Sequence, residues 1–501
     1  MKIVKEYDLL LERVKRLMVL GGVRSLLYWD FETYMPPKGV EQRSAELRLV
    51  SELMHRWATD PELGKLLDAV ERSPGHERMT DVERRNVFLV RRDYDRETRV
   101  PLELVKELAE HEPRSIAAWK RAKAKRDFGE FRPFLEKMVD LVRRKAEAIN
   151  PDADPYDVLL DLHEPGLTSD MVAREFAFLA KRLPKLTAKC VEHRDEKLLK
   201  FTARRVPVDA QRRLTAWLCK FVQYDLNRGR VDETEHPFTT GVYDDVRILT
   251  HYHEDRVLSS VYSVLHEAGH GIYEQNLPVD LRWQPVGTSC SYGVHESQSR
   301  FVENVVGRSA EFWGTFLPEF VEATGFQDLS LEAATRAAND VRPTKIRIEA
   351  DEVTYSLHVV LRFELESELV RGNLDVKELP QVWNEKVDRL LGVEVEHDAE
   401  GVLQDTHWAG GSFGYFPSYV MGNLYDGAFL RALEREEPGW RERLQAGDSS
   451  TLLGWLRRNV HERGNLHDPA ELVELVTGNR VEAAPFVEYL ETKMGRLLGW
   501  S

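Results

Sequence analysis

The sequence predicts a mainly α-helical protein that carries one small β-sheet. Over the first two hundred residues, apolar and charged positions alternate at helical spacing. Between Val231 and Ile248 the pattern changes to short pieces rich in Thr, Val, Tyr and Ile, which favour strands. Helical periodicity returns from Asp255 onward. No repeat, low-complexity tract or flexible linker divides the sequence, so we expect one catalytic unit of two lobes over residues 1–501.

Turn-forming residues mark the ends of the predicted elements. In the helical first half they cluster at residues 35–39, 73–75 and 164–166. In the β-prone region Gly241 supplies a turn, which predicts a hairpin beside the functional site. The later predicted helices include residues 343–370 and 376–391, and loops interrupt the C-terminal helices near Gly447 and Gly464.

Composition places the chain among ordinary soluble proteins and excludes several partners. Hydrophobic residues make up 42% and charged residues 31% of the 501 positions, which is typical of a folded protein. The formal net charge of -15 opposes attraction to a phosphate backbone, so we expect no nucleic acid partner. The three cysteines lack the paired spacing of a zinc ribbon and the density of a disulfide scaffold, which favours a reducing compartment.

The N-terminal residues form a charged amphipathic pattern without the apolar stretch of a signal peptide. The longest run without Asp, Glu, Lys or Arg, residues 406–425, is long enough to span a bilayer, but its Gly, Ser, Pro, His and Asn would be costly there. We therefore expect a cytoplasmic protein without a membrane partner, with this run buried or lining a cleft.

The sequence His266-Glu267-Ala268-Gly269-His270 is the clearest functional signal. It lies in a helical apolar stripe formed by Leu258, Val261, Leu265, Ala268 and Ile272. Residues four apart on a helix lie about 40° from one another, so both imidazoles can bind one zinc ion. Such a pattern arises by chance on the order of 0.05 times in a chain of this size. Glu267 is positioned beside the metal, where it can take a proton from a metal-bound water.

A catalytic zinc site needs a third protein ligand, and Glu296 is the candidate. It lies 26 residues after His270, at the start of an apolar helical run. His295 would point about 100° away from Glu296 on a helix, which makes it at best a neighbour of a ligand. His251 and His253 lie among charged residues and fit a solvated helix start better than a metal site.

The segments HEAGH and GVHESQSR resemble those of the carboxypeptidase Taq family of metallocarboxypeptidases. Further matches extend along nearly the whole chain. They are the segment YWD followed by ETYMPP, the triplet HPF, the segment IRIEAD and the segment GVLQDTHW. One element departs, since Leu249 stands where the family has threonine in D-x-R-x-T, with Thr250 following. The resemblance implies a helical protein with a deep groove, a small sheet near the metal, and a homodimer. It also implies release of single residues from peptide C-termini with broad preference, C-terminal proline being disfavoured.

Amide hydrolysis needs donors for the developing oxyanion, and a carboxypeptidase needs a cation for the terminal carboxylate. His407, Tyr415 and Tyr419 are uncharged donors in or beside the matched GVLQDTHW element. The planar guanidinium group suits a carboxylate, and arginines occur in the family-like elements. The predicted substrate-binding residues are Arg247, Arg347, His236, Asp245, Gln404 and Asp405, with Arg300 as a third arginine candidate.

The sequence leaves three alternative functions open. An oligopeptide endopeptidase would use the same zinc chemistry in an open groove. An aminopeptidase is less favoured because the usual anchors for a substrate amine are not evident. A helical binding scaffold with a structural zinc is disfavoured by Glu267, because a structural site has four protein ligands and no adjacent base. Zn²⁺ is the expected cofactor, and Co²⁺ or Mn²⁺ would suit the same donors.

Overall fold

The computed structural model describes residues 2–500, with side chains from Lys5 onward. As predicted, the fold is mainly helical with one small sheet. The helices before the sheet are α1 (Lys2–Glu32), α2 (Val40–Ala58), α3 (Pro61–Glu71), α4 (Asp81–Arg99), α5 (Leu102–Lys125), α6 (Phe128–Ile149), α7 (Pro155–Asp161), α8 (Ser169–Glu192) and α9 (Val208–Phe221).

The strands are β1 (Gly229–Glu233), β2 (Phe238–Val242) and β3 (Asp245–Thr250). The helices after the sheet are α10 (Val257–Gln275), α11 (Tyr292–Arg300), α12 (Ala310–Thr324), α13 (Leu331–Ala338), α14 (Tyr355–Arg371), α15 (Leu379–Leu391), α16 (Phe416–Glu436), α17 (Trp440–Gln445), α18 (Ser450–Asn459), α19 (Pro469–Thr477) and α20 (Ala484–Leu498). Among the described helices, none has the length and apolar character needed to cross a membrane.

Helix α6 shows how the sequence specifies these elements. Asp127 caps its first turn by accepting a hydrogen bond from the backbone N–H of Gly129 at 2.8 Å. Apolar side chains then recur every three or four residues on one buried face, including Phe131, Leu135 and Met138. Burial of each side chain contributes about 1.5–3 kcal/mol, so this stripe holds α6 against the core.

The described side chains form two separate apolar clusters. The large cluster runs from α5 to the C-terminal helix, and a small one joins α1, α3 and α4 through residues such as Leu10, Leu67 and Val87. The predicted single catalytic domain with two lobes and a deep groove between them remains a prediction.

The sheet has the strand order β1-β3-β2 and packs against α10. Strands β2 and β3 form the predicted antiparallel hairpin, whereas β1 pairs with β3 in parallel. The turn lies at Tyr243 and Asp244, so the prediction that Gly241 supplies it was wrong. Gly241 pairs with Val246 inside β2, where its positive φ of 87° and the carbonyl oxygen of Asp245 leave no room for a Cβ atom.

A Cβ atom on Gly271 of α10 would lie 3.0 Å from Cγ2 of Ile248 in β3. The hairpin is therefore in direct contact with the helix that carries the predicted metal ligands.

One helix begins later in the structure than the sequence predicts. Residues 343–354 are irregular apart from a 3-10 turn, and α14 begins only at Tyr355. The carboxylate of Asp351 accepts hydrogen bonds from the backbone N–H groups of Arg342, Val353 and Thr354 at 2.9–3.1 Å. These bonds satisfy backbone N–H groups without helix formation, so the helix starts after them. The pattern of apolar residues does not reveal such bonds. The other prediction, residues 376–391, is confirmed, with a 3-10 first turn before α15.

Helix α11 lies between α10 and α16, and its backbone comes close to the backbone of each. A Cβ atom on Gly269 in α10 would lie 2.6 Å from the carbonyl oxygen of Gln298. A Cβ atom on Gly422 in α16 would lie 3.2 Å from the Cβ of Glu296. Glycine at these two crossings therefore sets how close Glu296 comes to the histidine-bearing helix.

Gly269→Ala should force α10 and α11 apart and lower the free energy of unfolding by about 1–3 kcal/mol. The matched control is Gly314→Ala in α12, where a Cβ atom would meet nothing within 4 Å. That control should be neutral or stabilising by up to about 1 kcal/mol. Thermal melting followed by circular dichroism measures both, and equal shifts in Tm would contradict the crossing argument.

Candidate metal centre

Helices α10 and α11 bring the three predicted ligands to one point. His266 and His270 lie one turn apart on α10, and Glu296 reaches them from α11. Oε2 of Glu296 lies 3.8 Å from Nε2 of His266 and 3.6 Å from Nε2 of His270. All three donor atoms lie within 4.8 Å of one another.

This arrangement fits a divalent transition-metal ion. Tetrahedral ligands that are about 2.0–2.2 Å from an ion lie roughly 3.4 Å from one another, close to the two measured separations. Two neutral imidazoles and one carboxylate suit Zn²⁺, and three protein ligands leave a coordination position open for catalysis. The residues present therefore fit the predicted metal.

Arg300 holds the predicted third ligand. Its Nε donates to Oε1 of Glu296 at 2.6 Å, which leaves Oε2 facing the histidines. Its guanidinium also lies over the ring of Tyr355, 4.0 Å from the centroid. The sequence made Arg300 a candidate for the terminal carboxylate of a substrate, whereas the structure pairs this buried side chain with Glu296.

Glu303 is a functional candidate that sequence reasoning missed. It lies in a π-helical segment, Phe301–Val306, that follows α11, and its Oε2 is 3.0 Å from Nδ1 of His266. Arg308 donates to its other oxygen at 2.8 Å. Burial opposes a charge on His266, but Glu296 and Glu303 outweigh it and raise the pKa of this imidazole to about 9. The two carboxylates thus favour a positive charge here, as a bound metal ion would supply.

The spacing of Glu303, seven residues after Glu296, was a signal that it lies on a related helix face. The π-helical turn could not be foreseen, and π segments are frequent at functional sites.

The other histidines lie outside the group of three ligands, as predicted. His295 packs its ring 4.4 Å from the ring of His270 and places Nε2 2.8 Å from Glu274. His251 and His253 lie in the loop before α10 with their rings 4.2 Å apart. Nδ1 of His251 is 2.8 Å from the carbonyl oxygen of Thr234.

Glu267 is buried beside the ligands and contacts the hairpin. The hydroxyl of Thr239 in β2 lies 2.7 Å from its Oε2. Burial raises the pKa of Glu267, against the lowering effect of nearby His266. A buried carboxylate with a raised pKa next to a metal position has the properties of a general base.

His407, Tyr415 and Tyr419 come together as one aromatic wall. Nε2 of His407 lies 3.4 Å from the hydroxyl of Tyr419, and the rings of Tyr415 and Tyr419 are 5.2 Å apart. Burial, helped by Arg347, lowers the pKa of His407 to about 4, so its imidazole is neutral at pH 7. Burial, followed by the charge of Glu296, raises the pKa of Tyr415, so this phenol stays protonated and can donate a hydrogen bond.

Beside this wall lies a buried ion-pair cluster. Asp405 accepts from Nε of Arg347 at 3.0 Å and from Nε of Arg362 at 2.7 Å. The side chain of Gln404 accepts from the backbone N–H of Arg347 and donates to the carbonyl oxygen of Lys345. Gln404 and Asp405 both contact Arg347, and their predicted role in substrate binding remains a prediction. Arg362 was missed because arginines are usually exposed, and this one is buried.

Arg247, Asp245 and His236 belong to the sheet region. Nε of Arg247 donates to Asp245 at 2.8 Å, and its guanidinium lies 4.1 Å from the ring centroid of Trp29. Asp245 and His236 are exposed. In β3, Leu249 points into the core and Thr250 bonds Ser263 of α10 at 3.2 Å.

The N-terminus of α11 rests on a buried carboxylate. Glu164 accepts from the hydroxyl groups of Tyr425 and Ser291 and from the backbone N–H of Gly293, at 2.7–2.8 Å. Burial raises the pKa of Glu164 to about 7, although these hydrogen bonds oppose the rise. A carboxylate at this helix terminus helps to fix the helix that carries Glu296.

Comparison with known proteins shows which family this chain belongs to. The carboxypeptidase Taq (M32) metallopeptidase family matches residues 9–494. The chain is 39% identical to thermostable carboxypeptidase 1 of Thermus thermophilus over 98% of this chain and 99% of that protein. It is 33% identical to carboxypeptidase 1 of Bacillus subtilis over 98% of this chain and 97% of that protein.

Among solved structures, the M32 carboxypeptidase of Deinococcus radiodurans R1 superimposes with a TM-score of 0.94 at 37% identity, covering 99% of this chain and 100% of that one. The fold and the two-histidine, one-glutamate group define a metallopeptidase. More particularly, the chain belongs to the carboxypeptidase Taq (M32) family, which confirms the resemblance seen in the sequence.

Glu303→Gln should weaken metal binding about 10–100-fold, because a neutral amide supports the basicity of His266 less than a carboxylate does. The matched control is Glu322→Gln, an exposed glutamate of α12, which should bind metal as the wild type does. Competition between the apo-protein and a chromophoric chelator measures the Kd. An unchanged Kd in a folded Glu303→Gln variant would contradict this role.

Glu164→Gln should change how stability depends on pH. Because the pKa of Glu164 is raised from 4.5 to about 7 on folding, the folded state binds more protons across this range. The free energy of unfolding should therefore fall as pH rises from about 5 to 8, by up to about 3 kcal/mol for this group. The neutral glutamine should remove this loss, so Tm should rise relative to wild type at pH 8 and not at pH 5. If Tm changed with pH in the same way in the wild type and in Glu164→Gln, the raised pKa of Glu164 would be contradicted.

Proposed function

We propose that this protein is a metal-dependent carboxypeptidase that releases single amino acids from the C-termini of peptides. The observation that carries the proposal is the convergence of His266, His270 and Glu296 beside buried Glu267. Membership of the M32 family and the carboxypeptidase names of the relatives support it.

The proposed cofactor is Zn²⁺, and Co²⁺ or Mn²⁺ would suit the same donors. When bound, such an ion polarises the scissile carbonyl and lowers the pKa of the attacking water. His266, His270 and Glu296 would hold it, with Glu303 and Arg300 orienting two of these ligands.

Glu267 would accept the proton of the attacking water and deliver it to the leaving amine. Neutral His407 and the phenols of Tyr415 and Tyr419 would donate hydrogen bonds to the oxyanion and the substrate backbone. Their neutrality matters, because a wall of permanent charges would be costly to bury next to the ion-pair cluster.

The cluster behind this wall suits a terminal carboxylate. Arg347 and Arg362 share the single carboxylate of Asp405, so two positive charges and one negative charge leave a net charge of +1 in a buried place. Arg347 is therefore our first candidate for binding the substrate carboxylate, with Gln404 and Asp405 holding it. Arg247 is the second candidate, and Asp245 and His236 would support it from the sheet.

The finer properties follow from the family resemblance. We propose broad specificity with C-terminal proline disfavoured, a cytoplasmic location and a homodimer. For proline, the scissile amide lacks the N–H that other residues can offer to the enzyme.

The test uses a free-acid peptide and its C-terminally amidated twin, with zinc or cobalt supplied and products followed by mass spectrometry. Stepwise release from the free acid alone, abolished by a chelator, is expected. Glu267→Gln should retain metal and lose at least about 100-fold in kcat. Internal fragments from both peptides would support an oligopeptide endopeptidase instead, and no cleavage with any metal would support a zinc-containing binding scaffold.

A further inference from the structure

The hydroxyl of Thr239 meets the carboxylate of the proposed base. We propose that Thr239 is a positioning residue for Glu267, holding Oε2 so that Oε1 is left to accept the proton of the attacking water. This inference rests on the proposed function and assigns different tasks to the two oxygens of one carboxylate.

The contacts make the two oxygens of Glu267 unequal. Oγ1 of Thr239 lies 2.7 Å from Oε2 and 3.1 Å from the carbonyl oxygen of Glu267. A hydroxyl has one proton, and the shorter contact to a charged acceptor is the stronger bond. Among the described side chains, Oε1 of Glu267 accepts no hydrogen bond. It is also not one of the fully buried polar atoms that lack a partner. Oε1 is therefore the oxygen open to a reacting water.

The sheet fixes the position of Thr239. Thr239 pairs with Ile248 of β3, and Ile248 packs under Gly271 of α10. Paired residues share a face of the sheet, so the Thr239 side chain is directed at the same helix. On the opposite face, the ring of Phe238 lies 5.5 Å from that of Tyr28 in α1. The hydroxyl is thus held by strand pairing and packing on both faces.

This contact bears on the rate more than on substrate affinity. A carboxylate without the Thr239 bond can rotate away from the position that its task requires, and such misplacement costs roughly tenfold to a hundredfold in rate. The contacts of this hydroxyl are to Glu267, so we expect KM to change little.

The experiment compares three variants of the full-length, metal-loaded protein. Thr239→Val keeps the β-branched shape and removes the donor, so kcat for the free-acid peptide should fall roughly tenfold or more with KM within about twofold. Thr239→Ser restores the hydroxyl and should recover most of the rate. Thr240→Val is the matched control on the opposite face of β2 and should resemble the wild type. Atomic absorption should show the same metal content in the wild type and in all three variants.

A second readout does not depend on activity. A crystal structure of the metal-loaded wild type should keep Oγ1 of Thr239 within hydrogen-bond distance of Glu267, and Thr239→Val should show a rotated Glu267 carboxylate. The proposal is overturned if that bond is absent, if Thr239→Val keeps the wild-type kcat, or if Thr239→Ser is as slow as Thr239→Val. Absence of release by the wild type would instead overturn the proposed function, and the assignment of Thr239 with it.

Discussion

The site depends on how closely α10 and α11 approach each other. Because Gly269 has no side chain, the backbones of α10 and α11 can touch, and Gly422 allows the same close approach between α11 and α16. Protein interiors are close-packed, so a displacement of this helix would be passed directly to Glu296. Backbone packing thus brings Glu296 close to the two histidines, so that its Oε2 lies 3.6–3.8 Å from their Nε2 atoms.

Side-chain contacts then set the direction of each ligand. Glu164 fixes the first turn of α11, Arg300 fixes the carboxylate of Glu296, and the π-helical segment turns Glu303 towards His266. The contact between Arg300 and Glu296 is buried and charge-assisted, and such bonds are stronger than those between neutral groups. These partners hold the ligands in place without occupying the atoms that would bind the metal.

The helical class, the hairpin and the grouping of His266, His270 and Glu296 could be predicted from the sequence, because each leaves a local signal in periodicity or spacing. The start of α14 was predicted too early because the Asp351 carboxylate competes for backbone N–H groups. Thr239 was missed because its role comes from a contact with a separate segment, and Arg362 because a buried arginine is unusual. Glu303 left only its spacing from Glu296 as a signal, since the π-helical turn that directs it cannot be foreseen from periodicity. Gln404 and Asp405 were predicted to bind substrate, and only the tertiary structure reveals their contacts with Arg347.

Three neighbouring glutamates are distinguished by their partners. Glu296 and Glu303 each have an arginine, and His266 and Arg308 outweigh burial to lower the pKa of Glu303. Glu267 has a hydroxyl in place of an arginine, and burial raises its pKa. The lowered pKa of Glu303 keeps this carboxylate anionic, which suits a support for a metal ligand. A carboxylate bound to a neutral donor can take up and release a proton without breaking an ion pair, so it is Glu267 whose surroundings suit proton transfer.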